Sequence, residues 1–220
     1  NDSAPARIYP LPLQDALPIC VACRPGVIYN HTNVSVHNGH IRQGVGDSPA
    51  GTNGIGFSPL MIRSTTGGSV TGVTVEYSGS SIMGMDLSLT TQAHHNTIRD
   101  HGLLIWNRHS GGSKGISGAQ VVHHNLVERS RMGGITCMDY GDVHHNEVYI
   151  DVAVTNGSGI GAYDEHDFRI HDNWIFGTGY ILQGIGAVSG CADVEIDGNL
   201  IHLQATAPDS RWYDFDWYDV

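Results

Sequence analysis

One phrase recurs along this chain: an apolar residue, two polar residues, Asn, one variable residue, then Ile or Val. It reads AHHNTI at 93–98, VHHNLV at 122–127, VHHNEV at 143–148, IHDNWI at 170–175 and IDGNLI at 196–201. A looser copy, VHNGHI at 36–41, has Gly39 in the Asn position. The Asn residues stand at 96, 125, 146, 173 and 199, in steps of 29, 21, 27 and 26 residues. Self-similarity at such a period is the signature of a solenoid, in which each repeat is one supersecondary unit stacked on the next.

Around each Asn, apolar and polar residues alternate, as in Val194, Ile196 and Ile201. That is the period of a strand with one buried face. Half a repeat away stands a second strand signal, Gly followed by alternating apolar residues: GIGF (54–57), GMDL (84–87), GLLI (102–105), GITC (134–137), and GIGA at 159–162 and 184–187. Helical spacing is absent over any useful length, and 29 glycines supply frequent turns. A single repeat cannot bury its own apolar stripe. Stacked repeats can, with strands of successive coils about 4.8 Å apart.

This pattern resembles the right-handed parallel β-helix of the pectate-lyase-like superfamily, over roughly residues 27–204. The expected fold is therefore all-β, a right-handed parallel β-helix with a stacked Asn ladder. The resemblance implies three short strands per triangular coil, with Asn96, Asn125, Asn146, Asn173 and Asn199 in one stacked line. Asn suits such a turn because it tolerates left-handed backbone and its amide can pair with main chain and with the next Asn. The same fold carries many chemistries and also non-catalytic roles, so function must be argued from the site.

The unbroken repeat argues for one domain over 20–204. The first segment, 1–19, contains LPLQDALPI, which lacks period-two alternation and resembles a translated sequencing adapter; it is expected to add no coil. On that reading the true start, with any signal peptide, is missing. The segment 205–220 reads as a C-terminal tail, aromatic and acidic, that stops without a polar cap. A net charge of −11 offers no basic footprint for nucleic acid, and no apolar run is long enough to span a bilayer. The expectation is an extracellular or periplasmic monomer. Four cysteines are too few for a disulfide framework; Cys20 and Cys23 form a lone CxxC, and Cys137 falls in an inward column.

In the register set by the Gly-initiated strands, Trp106, Met138 and Tyr163 share an outward column, with Asp86 in the column two residues earlier. Beyond it lie Arg108 and His109, then Asp139, Tyr140 and Asp142, then Asp164, Glu165, His166 and Asp167. That mixture suits a polysaccharide. Trp106 and Tyr163, with Asp86 and His109, are expected to bind substrate, the aromatics by stacking on sugar rings. Asp139, Tyr140, Asp164, His166 and Arg108 are the catalytic candidates. A uronate polymer would be repelled by the negative chain unless a cation bridges it. Asp139, Asp142, Asp164, Glu165 and Asp167 are therefore candidate Ca²⁺ ligands.

Two histidine columns precede the ladder. His37, His94, His123, His144 and His171 occupy the position two before the Asn, and His95, His124 and His145 the next. Stacked imidazolium ions would repel by roughly 1–3 kcal/mol per neighbour, so the rings are expected to be mostly neutral near pH 7, the form that ligates metals. No zinc-motif spacing is met. The segment DYGDVHH is also similar to the Tyr-Gly-x-Asp-x-His signature of mannuronan epimerases, through Tyr140, Gly141, Asp142 and His144, with one residue fewer in the spacing. Neither a triple-Asp site of the polygalacturonase kind nor a basic site of the pectate lyase kind is present. The functional expectation is a carbohydrate-active enzyme of lyase, epimerase or hydrolase type. The alternative is a structural or adhesive module.

Overall fold

The period-two alternation appears as burial. In Val121–His123, Leu126–Glu128 and Asp142–His144 the middle residue is buried and its neighbours are only partly so. The computed structural model describes residues 7–8, 26–42, 59–63, 66–76, 83–87, 91–100, 114–129, 133–151, 157–179, 182–188, 190–205 and 211–215. Among these there is no helix, and the strands form three parallel sheets of eight, seven and eight strands. The chain visits the sheets in rotation and pairs each strand with its counterpart one turn earlier, which makes the fold a parallel β-helix.

We call the three sheets by their marker residues. The glycine sheet runs through Gly26–Tyr29, Leu60–Arg63, Met83–Asp86, Lys114–Ser117, Gly133–Thr136, Gly157–Tyr163, Leu182–Val188 and Arg211–Phe215. The histidine sheet includes Thr32–His37, Thr66–Thr71, Gln92–His94, Val121–His123, Asp142–His144, His166–His171 and Ala192–Asp197. The third sheet runs from His40–Arg42 to Leu200–Ala205. Each sheet sends one apolar column to the axis: Met85, Ile116, Ile135, Ile160 and Ile185; Val70, Ala93, Val122, Val143 and Ile170; and Val75, Ile98, Val127, Val148 and Ile175, all at most 1% exposed. Burying one such Val or Ile contributes about 1.5–3 kcal/mol, so the stacked columns are the main source of stability.

The glycine before each inward Ile has a packing cause. A Cβ on Gly134 would lie 2.4 Å from Val148 Cγ1 and 2.5 Å from the Gly159 carbonyl oxygen. The glycine and third sheets approach there too closely for any side chain. Gly134→Ala is expected to destabilise the protein by about 1–3 kcal/mol through overpacking, read as a fall in melting temperature. An unchanged melting temperature would mean that the sheets separate more easily than described.

The Asn ladder is continuous. Nδ2 of Asn96, Asn125, Asn146 and Asn173 each donates to Oδ1 of the next Asn, at 2.9–3.0 Å. That Oδ1 also accepts the backbone N–H of the preceding Asn, at 2.9–3.0 Å. The left-handed residue differs from the expectation. It is the residue before each Asn that has positive φ: His95 (56°), His124 (54°), His145 (53°), Asp172 (53°) and Gly198 (61°). The second polar residue of the phrase makes the turn, and the Asn holds it from inside. His, Asp and Gly are all enriched in that backbone region.

Two further differences concern register. In the coil before Asn125 the glycine-sheet strand is Lys114–Ser117, paired with both Met83–Asp86 and Gly133–Thr136. The expected strand GLLI (102–105) therefore does not hold that place. The added length of the 29-residue step precedes the strand, while the ladder crosses it intact at 3.0 Å. The sequence reading also passed over a coil. Thr66–Thr71 and Thr74–Glu76 belong to one in which Val73 takes the Asn position and donates its N–H to Asn96 Oδ1 at 3.0 Å. Gly39 holds the same position one coil earlier, accepting from the Thr74 N–H. At the two ends, Arg7–Ile8 pairs with Ser35 and Val36, and Arg211–Phe215 pairs with Leu182–Val188; Cys20, Cys23 and the rest of 1–19 lie outside the described residues.

Candidate functional site

The corner between the glycine and histidine sheets carries the candidate site on two successive coils, at 137–141 and 163–166. Cys137 and Ala162 end their strands buried, 0% and 2% exposed, and anchor the corner. Burial pushes the Cys137 thiol upward in pKa, so it is an inert core residue as expected. Gly141 is required next: a Cβ there would meet Met138 O at 2.5 Å and Cys137 Sγ at 2.9 Å.

The two coils are laced by reciprocal contacts. Asp139 Oδ1 accepts the His166 backbone N–H at 2.6 Å, and Glu165 Oε2 accepts the Asp139 backbone N–H at 2.7 Å. His166 Nδ1 lies 3.4 Å from Asp139 Oδ1, and the Tyr140 N–H donates to the His166 carbonyl at 2.9 Å. The acidities of the two carboxyl groups move apart. The His166 backbone N–H holds Asp139 below the usual carboxylate range. Burial raises Glu165, against the Asp139 N–H, and the neighbouring charge of Asp139 adds to the rise. The last proton of the pair thus resides on Glu165. Two carboxyl groups pushed apart in this way make an acid and a base.

Tyr140 and Tyr163 flank the pair, each 65% exposed. Tyr140 has φ of 54° and Asp164 of 61°. Left-handed backbone costs an L-residue with a Cβ about 1–2 kcal/mol, and a bulky Tyr there is unusual. The turn holds the ring out to solvent at that cost. Strained, exposed side chains of this kind cluster at functional sites.

Of the expected site residues, Asp139, Tyr140, Tyr163, Asp164, Glu165 and His166 share this corner. Trp106, Arg108 and His109 lie outside the described residues. With Lys114–Ser117 as the strand, however, the corner of that coil is Gly118–Ala119–Gln120, with Ala119 fully buried, so the aromatic rib does not continue into that coil. Asp86 lies elsewhere on the glycine sheet, 8% exposed, and accepts from Arg63 Nε at 3.0 Å and from Arg63 Nη2. Asp142 faces His171 Nε2 at 3.0 Å, and Asp167 is exposed. Among the described residues no three His, Cys, Asp or Glu side chains converge as a metal site. Ca²⁺ takes six to eight oxygens, and Asp142, Glu165 and Asp167 do not build that cage there.

Glu165, expected as a metal ligand, accepts a main-chain N–H of the adjoining coil. Its partner Asp139 stands 26 residues earlier, one coil length, and that spacing was the available signal. The histidine columns are as expected. His94, His123, His144 and His171 stack at 4.9–5.0 Å between ring centroids, and His95, His124 and His145 at 5.1 Å. No helix of the described residues is long and apolar enough to cross a membrane. No protein family, curated protein or solved structure matches this chain.

Proposed function

We propose that this chain is a carbohydrate-active β-helix of the pectate-lyase-like superfamily, acting on a polysaccharide by proton transfer at the Asp139–Glu165 corner. The observation that carries the reading is a pair of carboxyl groups of divergent acidity, each accepting a main-chain N–H of the adjoining coil, beside exposed His166 and a strained, exposed Tyr140. Glycosidase carboxyl groups stand about 5–9.5 Å apart, leaving room for a sugar carbon or a water between them. Here both carboxylates are taken up by main-chain N–H groups of one corner, which favours lyase or epimerase chemistry over hydrolysis. In that chemistry Tyr140 and His166 are the proton-transfer groups that reach solvent, the carboxyl pair orients His166, and Tyr163 stacks on the sugar.

The test is a panel of acidic and neutral polysaccharides, with and without Ca²⁺, monitored for unsaturated products, epimerised residues and reducing ends. Tyr140→Phe and His166→Ala should lower kcat by 10²–10⁴-fold with KM largely kept, as loss of a proton-transfer group does. Tyr163→Ala should raise KM instead. Wild-type turnover in Tyr140→Phe and His166→Ala would remove both residues from the mechanism.

A second reading has its own observation. Both carboxylates accept main-chain N–H groups of the adjoining coil, which is also how a structural lock between coils works. If Asp139→Asn lowers the melting temperature and no glycan on the panel is turned over, the corner is a clamp in a non-catalytic module.

A further inference from the structure

Adjacent histidines of the ladder phrase meet nitrogen to nitrogen. Nδ1 of His94 lies 3.0 Å from Nδ1 of His95, and the pairs His123–His124 and His144–His145 repeat the contact at 2.9 Å. The two rings of each pair stand nearly perpendicular, at 85–88°. The pairs are stacked one strand spacing apart along one face, the first column half-buried and the second exposed. At the next coil the second histidine is replaced: His171 Nδ1 meets Asp172 Oδ2 at 2.8 Å and its Nε2 meets Asp142. At the other end Thr71 Oγ1 lies 3.2 Å from His94 Nδ1. The array therefore has three imidazole pairs, closed by a hydroxyl and a carboxylate.

We infer that the paired Nδ1 atoms of His94–His95, His123–His124 and His144–His145 form a surface chelating array for Cu²⁺ or Ni²⁺. Two nitrogens each about 2.0–2.1 Å from a metal lie about 2.9 Å apart when they subtend a right angle, and about 3.4 Å apart at the tetrahedral angle. The observed separations match the right angle, the geometry of square-planar and tetragonal sites. That favours Cu²⁺ and Ni²⁺ over Zn²⁺. The left-handed turn at His95, His124 and His145 supplies the bite by aiming consecutive side chains at each other, which extended backbone cannot do. Each pair gives two protein ligands, and water fills the remaining positions. As hydrogen-bonded neighbours the two rings must adopt opposite tautomers. As ligands both present a bare Nδ1 and keep the proton on Nε2, so no net proton need leave. Two divalent ions one strand spacing apart disfavour each other on the order of a hundredfold even in water, so neighbouring pairs do not fill together.

The experiment uses the untagged chain. Isothermal titration with Cu²⁺ and Ni²⁺ should give one or two ions per chain, with Zn²⁺ at least tenfold weaker. Copper paramagnetic resonance at one equivalent should show two imidazole nitrogens on the ion. The combined variant His95→Asn, His124→Asn, His145→Asn keeps a residue that tolerates the left-handed turn and should lose at least tenfold in affinity and the two-nitrogen spectrum. Should that variant fold poorly by circular dichroism, the single variants His124→Asn and His145→Asn serve, each lowering the stoichiometry or affinity. His202→Asn, on the third sheet, should bind as wild type. Unchanged binding in the ladder variants, a wild-type spectrum without paired imidazoles, or no binding at all overturns the array.

Discussion

Asn146→Ala is expected to lower the stability of the protein by about 3–5 kcal/mol, far more than the loss of one ordinary hydrogen bond. Asn146 is 1% exposed. Its Oδ1 accepts from the Asn125 N–H at 3.0 Å and from Asn125 Nδ2 at 2.9 Å. Its Nδ2 shares two N–H groups among three acceptors, the Val122 carbonyl at 2.8 Å, the His144 carbonyl at 3.0 Å and Asn173 Oδ1 at 3.0 Å. Alanine leaves the Asn125 N–H and the Val122 carbonyl without these partners in a site closed to water. Each such orphan costs about 1–3 kcal/mol, and the groups belong to one network that polarises along its length. Asn146→Asp is expected to be at least as harmful, because a carboxylate would face the Val122 and His144 carbonyls where Nδ2 now donates. The control is Asn199→Ala at the end of the ladder, where the side chain is only partly buried and the cost should be about 1 kcal/mol. Urea unfolding measures both. A loss in Asn146→Ala no larger than in Asn199→Ala would show that the ladder does not act as a unit.

Acid should unfold this protein in two stages, the first belonging to the histidines. Burial, then neighbouring imidazoles, depress His94, His123 and His124; His123 is lowered to about 4. His144 is also lowered, by burial first, with Asp142 opposing. An unfolded histidine titrates near about 6.5. Between that value and about 4 the unfolded chain binds protons that folded His123 refuses. The stability of the neutral ladder is therefore complete above about pH 6.5 and is lost as pH falls toward 4. The full His123 shift would correspond to about 3 kcal/mol, which solvent screening at a half-exposed face reduces to about 1–2 kcal/mol. His94, His124 and His144 add to the loss in the same direction. A second stage follows at lower pH, where Asp139 and Asp172, held below the usual carboxylate range, become protonated. Melting temperature measured from pH 7.5 to 4.5 should hold to about pH 6.5 and then fall, and His123→Thr, which copies Thr71 from the same column, should flatten the slope. A flat wild-type profile would mean that the rings do not stack as described.

The outcomes of sequence reading differ from element to element for physical reasons. The ladder was legible because each Asn side chain is used twice per coil, by its own turn and by the next, so the residue recurs wherever the contact does. The coil at 66–76 escaped because Val73 needs no amide: its N–H reaches Asn96 without a side chain of its own. The strand before Asn125 was misplaced because GLLI and KGIS offer the same local pattern of Gly and apolar residues. Pairing with Met83–Asp86 on one side and Gly133–Thr136 on the other chose between them.

The candidate site divides in the same way. That Asp139 and Glu165 occupy one corner follows from a spacing of one coil, and that Tyr140 and Tyr163 stand nearby follows from register. That each carboxyl group caps the other coil's main chain depends on turn dihedrals that no pattern of residue types encodes. The histidine columns could be written down from the sequence, but their nitrogen-to-nitrogen contact could not. It arises from the left-handed turn at the second histidine, assigned beforehand to the Asn.

The sequence by itself determined the period, the parallel coil and the inward columns, since alternation, glycine placement and a repeated Asn are each one-dimensional records of a contact made once per turn. Only the tertiary structure decided which of two equivalent strands joins the sheet, which acids cap the neighbouring coil and which imidazoles face each other. Those choices depend on side-chain direction across neighbouring coils. Strand stacking sets that direction, and local residue identity leaves it free.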